Sequence, residues 1–228
     1  MFIGHYAVAP LAAATGKVKL WQAFIAVQFA DFIWAILILT GIEKGRVVDG
    51  FMEGSALDLH YMPYSHSLLF ITFWACIAAG LFWLYNERRN YGGAIIIAIL
   101  VLSHWFGDVL VHGPDMTVLP GSEKIGMGSW DEVESSLSLE IGSLVCALMI
   151  YTRLTVPASG KSFLYAILFC AFLVGLQLYS TFGPVPADIN TVAISALVAY
   201  SVIALAAYGL ECSRDLYYEA VADIHERI

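Results

Sequence analysis

Long apolar runs separated by short polar turns make up most of this chain. A helix that crosses a bilayer needs about 20 mostly apolar residues. Five segments meet that length, residues 18–41, 66–85, 91–112, 162–182 and 190–210. A sixth, residues 135–152, is shorter but sufficient. Residues 2–15 are apolar but too short to span, and Gly16 ends them. They read as a half-helix or re-entrant helix. Two stretches, residues 42–65 and 113–134, interrupt the pattern with glycine, proline and acids. The pattern predicts an all-α protein: a polytopic membrane bundle of about six spanning helices plus a short N-terminal half-helix. Residues 1–210 form one integral membrane domain, with accessory helices over 162–210, and 211–228 form a charged tail, helix-prone from Arg214 onward.

Composition removes the soluble alternatives. The chain is 60% hydrophobic and 13% charged, with mean hydropathy +0.76. A soluble domain carries about 45–50% apolar and about 25% charged residues. The net charge of −8 leaves nothing to neutralise phosphates along a nucleic acid. Cys76, Cys146 and Cys170 lie inside apolar runs and Cys212 follows the last one. With no CxxC pair, they read as packing residues rather than bridges or ligands. The basic residues set sidedness. Alternating spans place Lys17, Lys19, Arg88, Arg89, Arg153, Lys161, Arg214 and Arg227 on one side, and only Lys44, Arg46 and Lys124 on the other. The first side is therefore cytoplasmic, with the C-terminus, and the long loops face outward; the outer segments together hold ten acids, from Glu43 to Asp188.

Ionisable side chains inside a span are costly and generally face the protein interior. Here they are His5, Asp31, His66, His104, Asp108, His112 and Glu140. His5 lies eleven residues before Gly16, Asp31 twelve after Lys19, His104 fourteen after Asn90 and Glu140 thirteen before Arg153. At helical rise all four stand roughly 17–21 Å from the inner edge, just outward of the midplane. Asp108 is one turn higher, and His66 and His112 are near the outer surface. His104, Asp108 and His112, at i, i+4 and i+8, share one helix face. A histidine and a carboxylate four apart can grip one cation from consecutive turns. Gly107 beside them permits a close approach. Each residue also has a plainer reading. His66 and His112 suit a membrane interface, Asp31 could bond a neighbouring helix, and His5 could cap or pack. Glu140 could be protonated and bonded near Ser136 and Ser143. Convergence at one depth favours a shared site.

The ordered elements Gly4-His5, Asp31, Tyr64-Ser65-His66-Ser67 and His104-Trp105-Phe106-Gly107-Asp108 resemble the signature of the bacterial membrane-bound metal-dependent hydrolases. Pro63–Ser67, His112-Gly113-Pro114-Asp115, Pro120-Gly121 and Gly126–Trp130 extend the resemblance, which covers roughly residues 2–150. That family is similar, more remotely, to the zinc-dependent phospholipase C and single-strand nuclease superfamily. The resemblance implies a bacterial inner-membrane location and one zinc bound by Asp31, His66, His104 and Asp108, with His5 sharing Asp108 with a second ion. For a third ion only His112 and Glu140 stand in position. The metal-binding N-terminal amine and tryptophan of the superfamily have no counterpart, since this chain starts at Met1. One or two ions are therefore expected.

The combined expectation is a divalent metal, with zinc suiting the mixed nitrogen and oxygen donors, in the half of the chain spanning residues 1–152. His5 or Glu140 would serve as a base, and the substrate would be a phosphoester such as a lipid headgroup. Two other classes fit the same residues. An ion-coupled transporter could use the Asp, Glu and His chain as a relay, although no repeat or broken-helix pair is visible. A haem protein would use two histidines at matched depth, such as His5 and His104. The sidedness yields a first prediction. In a variant lacking the four native cysteines, a cysteine at Ser122 should react with an impermeant label from outside. One at Asn90 should not, and the reverse labelling would refute the orientation.

Overall fold

The computed structural model of the protein describes residues 1–216. A 3-10 turn, Ile3–Ala7, leads into α1 (Val8–Ala13). Then come α2 (Leu20–Val27), α3 (Phe29–Leu39), the hairpin β1 (Lys44–Val47) and β2 (Leu57–Tyr61), α4 (Leu68–Tyr85) and α5 (Tyr91–Val111). The short strands β3 (Met116–Thr117) and β4 (Lys124–Ile125) precede α6 (Val133–Leu154), β5 (Thr155–Pro157), α7 (Ser162–Phe182), α8 (Ile189–Glu211) and β6 (Arg214–Leu216). Helices α4 to α8 are each long and apolar enough to cross a membrane, and α2 with α3 forms a broken sixth span. The all-α membrane bundle expected from the apolar runs is the fold observed.

Three expectations need correction. Residues 18–41 are not one continuous helix, because α2 and α3 meet at 48°. At the junction Gln28 takes φ −101° and ψ 8°, and its carbonyl accepts from both Asp31 and Phe32 N–H. The helix ladder thus skips the Val27 carbonyl. The tail does not begin as a helix: β6 pairs with β5, and the Arg214 Nε donates to Thr155 Oγ1 at 2.6 Å. The rest of the predicted tail, with Arg227 and His225, lies outside the described residues. Finally, Cys76, Cys146 and Cys212 are exposed on the outside of the bundle rather than packed within it.

The N-terminal turn is buried in the bundle. Ile3, His5 and Tyr6 are buried, and Tyr6 stacks on Phe24 at 4.6 Å, which in turn meets Phe169 at 5.5 Å. It is a short helical plug surrounded by longer helices. In contrast, α4 and α8 leave faces such as Phe73, Leu81, Val198 and Leu205 exposed, which suits contact with lipid rather than water.

The connections gather at two ends. At one, Asn90 Nδ2 donates to the Lys17 carbonyl at 2.6 Å and β5 pairs with β6. At the other, Lys124 Nζ donates to the His60 carbonyl at 2.8 Å, and Gly54 N–H donates to the Trp130 carbonyl at 2.8 Å. Asp188, at this second end, caps α8 by accepting from Thr191 N–H at 2.8 Å, which holds its carboxyl below the usual carboxylate range. Asn90 also caps α5, accepting from Gly93 N–H at 2.7 Å. Asn90→Ala removes both a cap and a tie between turns. It should lower stability by about 1–2 kcal/mol, read as a fall in thermal midpoint in detergent.

Candidate metal centre

The break at Gln28 builds the first part of the site. The carbonyl of Val27, left without a helical partner, accepts from His104 Nδ1–H at 2.7 Å. In the neutral ring that bond fixes the tautomer and leaves the lone pair on His104 Nε2. A second chain of bonds does the same for His66. Buried Glu43 accepts from the backbone of Tyr64 and Ser65 at 2.8 Å each and from Ser65 Oγ at 2.5 Å. With its only proton donated to Glu43, Ser65 Oγ must accept from His66 Nδ1–H, 2.6 Å away. His66 Nε2 is then also a lone pair. Asp31 is held from behind: its Oδ2 accepts from Gln28 Nε2 at 2.5 Å and from Tyr200 OH at 2.9 Å. Its Oδ1 is left facing the two imidazoles.

These atoms meet at one point with Asp108. His66 Nε2 lies 3.2 Å from Asp31 Oδ1, 3.3 Å from His104 Nε2 and 3.5 Å from Asp108 Oδ2. His104 Nε2 lies 3.5 Å from Asp31 Oδ1 and 3.1 Å from Asp108 Oδ2. Asp108 Oδ2 is buried and makes no hydrogen bond of proper geometry. Four donor atoms bound tetrahedrally at about 2.0–2.1 Å to one zinc ion would stand about 3.3 Å from one another. The observed spacings match that figure. Asp31, His66 and His104, whose atoms lie within 4.8 Å of one another, therefore fit three positions around a divalent ion, with Asp108 Oδ2 close to both imidazoles.

The other Asp108 oxygen faces a second group. Its Oδ1 lies 2.7 Å from the Met1 amine, 3.0 Å from His5 Nε2 and 3.6 Å from His112 Nε2. Atoms of His5, His104 and Asp108 lie within 4.8 Å of one another, as do those of Asp31, His66 and His104. His112 and Glu140 belong to neither trio. Glu140 Oε2 instead accepts from Phe2 N–H at 2.7 Å and Gly4 N–H at 3.2 Å, so its carboxylate anchors the N-terminal turn.

Two expectations change here. An amine does reach the site, that of Met1, although the resemblance implied none. The haem reading fails on geometry, because His5 and His104 stack face to face at 3.8 Å and 11°. Coordination of one iron from both sides needs the rings' nitrogens to point at each other across a porphyrin.

The site also draws on the helices expected to be accessory, since α8 supplies Tyr200, and Gln177 of α7 accepts from Ile3 N–H at 3.3 Å. Sequence reasoning missed Gln28, Glu43, Gln177 and Tyr200. Glu43 sits in an acid-rich loop, and the other three are neutral residues in apolar runs. Gly107 admits the His5 ring, because a Cβ there would lie 3.0 Å from His5 Nδ1. Gly107→Ala should push that ring off His104. The expected readout is a thermal midpoint lowered by the equivalent of about 1–3 kcal/mol.

No curated protein and no solved structure matches the chain. Residues 48–183, more than half of it, match the profile of the YdjM inner membrane protein family. The matched region carries His66, His104, Asp108, His112 and Glu140 but begins after His5, Asp31 and Glu43. The family description gives a membrane location and no activity. With its apolar helices and this match, the chain is an integral inner-membrane protein that belongs to the YdjM inner membrane protein family.

Proposed function

We propose that the protein is a membrane-bound metal-dependent hydrolase of phosphoesters. One observation carries the reading: with both rings neutral, two imidazole lone pairs and two carboxylate oxygens converge within 3.1–3.5 Å of one another in the five pairs measured. Such a group repels itself in a low dielectric. Protonating both imidazoles instead would set two N–H donors 3.3 Å apart. A divalent cation removes the conflict.

Asp31, His66, His104 and Asp108 would hold the ion, and His5 with His112 would offer donors for a second around Asp108 Oδ1. Zinc suits this mixture of nitrogen and oxygen. Bound there, the metal would bring the pKa of a water to about 7 and polarise a phosphoryl oxygen. His5, bonded to Asp108, is the residue in reach to accept a proton. Glu140 positions His5 by holding the turn that carries it. The Glu43–Ser65 chain and the Val27 carbonyl orient the two imidazoles.

A second reading, an ion-coupled transporter, gains support from the broken α2–α3 span. Discontinuous helices with a carboxylate at the break are a feature of transporter binding sites. Metal analysis separates the two readings. The purified protein should contain one or two ions per chain, removable by a chelator. Asp108→Asn and His104→Ala should each remove most of the metal, and the double variant should lose little more, because ligands of one centre act as a unit. Both should lower the thermal midpoint, since bound metal favours the folded state. Ser65→Ala and Glu43→Gln should weaken metal affinity roughly 10–100-fold. Metal content that stays at the wild-type level in both Asp108→Asn and His104→Ala would sink the hydrolase. Proton coupling lost in Asp108→Asn, with metal at background throughout, would establish the relay.

A further inference from the structure

Trp34 carries a polar group that nothing else in the described residues uses. It sits on α3, three positions after Asp31 and so about one helical turn nearer the β1–β2 end. The residue is only 4% exposed, and its Nε1–H has no hydrogen-bond partner among the described residues. A buried donor in that state costs free energy that an acceptor on a ligand would recover. Trp34 also forms part of the wall of a cavity of about 720 Å³, which reaches Asp31, His66 and Asp108. The orphaned donor therefore borders a space large enough for a small ligand, or for one end of a larger one.

The rest of that wall shows where a ligand would come from. Between α7 and α8 the cavity is bounded by Leu176 and Tyr179 on one helix and by Ser195, Ala196 and Ala199 on the other. Both helices are long and apolar enough to cross a membrane. Tyr179 and Ser195 are exposed, and Leu176, Ala196 and Ala199 are half-buried. Ala199 stands ten residues into α8, about 15 Å from its start. That depth is about half of a bilayer core. The cavity therefore reaches the surface of the bundle at a level where Ile194 and Val198 of the same helix are exposed, to lipid rather than to water. Ser195 and Ala199, four residues apart, share one face of α8, and their small side chains leave room between the helices there. At its other edge the cavity meets the loop between β1 and β2, where Asp49 and Gly50 are exposed.

We infer that the gap between α7 and α8 is a side entrance for a lipid of the surrounding leaflet. The lipid puts its head into the cavity, where one oxygen accepts from Trp34 Nε1–H, and leaves a hydrocarbon chain in the gap. Two features select a lipid over a water-borne solute. The gap lies at the depth of hydrocarbon, where a solute from water does not arrive. The wall also grades from apolar side chains at the gap to imidazoles and carboxylates at the floor, the order of chain and head in a lipid entering sideways. The entrance stands apart from the hydrolase reading, since it serves a hydrolase and a transporter equally.

Fluorescence of the protein in bilayer discs tests it. The discs are made of dioleoyl phosphatidylglycerol, either plain or brominated across its double bonds, because bromine quenches nearby indoles. In each background the Trp34 signal is the emission minus that of the matching Trp34→Phe protein. Trp34 should lose most of its signal in brominated discs and little of it to iodide, a quencher confined to water. Ala196→Phe fills the gap and should restore the signal, and Ala199→Leu serves if that variant does not fold. Ile194→Phe, at an exposed position of the same helix outside the gap, should behave as the unaltered protein. In maltoside micelles the plain lipid, titrated and counted by native mass spectrometry, should bind about ten-fold more weakly to Trp34→Phe, the scale of one buried hydrogen bond. A Trp34 signal indifferent to bromine, quenching that persists in the gap-filled variants, or quenching by iodide instead overturns the entrance. Unchanged affinity in Trp34→Phe overturns the hydrogen bond, and with it the placement of the head.

Discussion

The close approach of two imidazoles and two carboxylates is the constraint on which the rest of this structure depends. His66 Nε2, His104 Nε2, Asp31 Oδ1 and Asp108 Oδ2 sit within 3.1–3.5 Å of one another in each of the five pairs described above. Much of the surrounding architecture serves to hold these atoms in place. The kink at Gln28 turns a carbonyl toward His104. The buried Glu43 carboxylate fixes Ser65, which fixes His66. Tyr200 and Gln28 occupy the far oxygen of Asp31. Each of these bonds costs local regularity or buries a polar group, and together they hold the four side chains in one arrangement.

How much of this was legible in the sequence depends on the physical signal. Spans were legible because twenty apolar residues with few charges mean one thing in a bilayer. His104 and Asp108 were legible because charged or titratable residues in such a span are rare. Counting from the turns gave a shared depth for four of them, and three of those four, His5, Asp31 and His104, gather in the site. Gln28 and Tyr200 carried no such signal. A glutamine or tyrosine is tolerated in a membrane helix for many reasons, and only its partner reveals its use. The kink had no proline or glycine to mark it. Glu43 was hidden for the opposite reason, as one of ten acids in segments read as solvent-exposed, although it is only 2% exposed. The division into a site half and accessory helices followed the motifs, which end before α7. Packing does not respect that boundary, because α8 lies along both α2 and α3.

The family match and the geometry bear on different parts of the protein. The matched residues 48–183 contain the α5 face with His104 and Asp108. The N-terminal plug, Asp31 and the Tyr200 contact lie outside it. The membrane location follows from the family and the apolar helices together, whereas the chemistry rests on distances within this chain.

The N-terminal plug has a consequence for how the protein is made. Its residues are synthesised well before their partners. His5 meets Asp108, Phe2 and Gly4 meet Glu140, and Ile3 meets Gln177, at sequence separations of 103 to 174 residues. Contacts that distant form slowly, because the intervening chain must be ordered before they are rewarded. The N-terminal turn can therefore meet its partners only after α5 and α6 have been made, and Ile3 meets Gln177 only after α7. During that interval the floor of the site stays open on the side that His5 and Met1 later close. The side of the site formed by His5 is thus completed late, by a segment made more than a hundred residues before its partners.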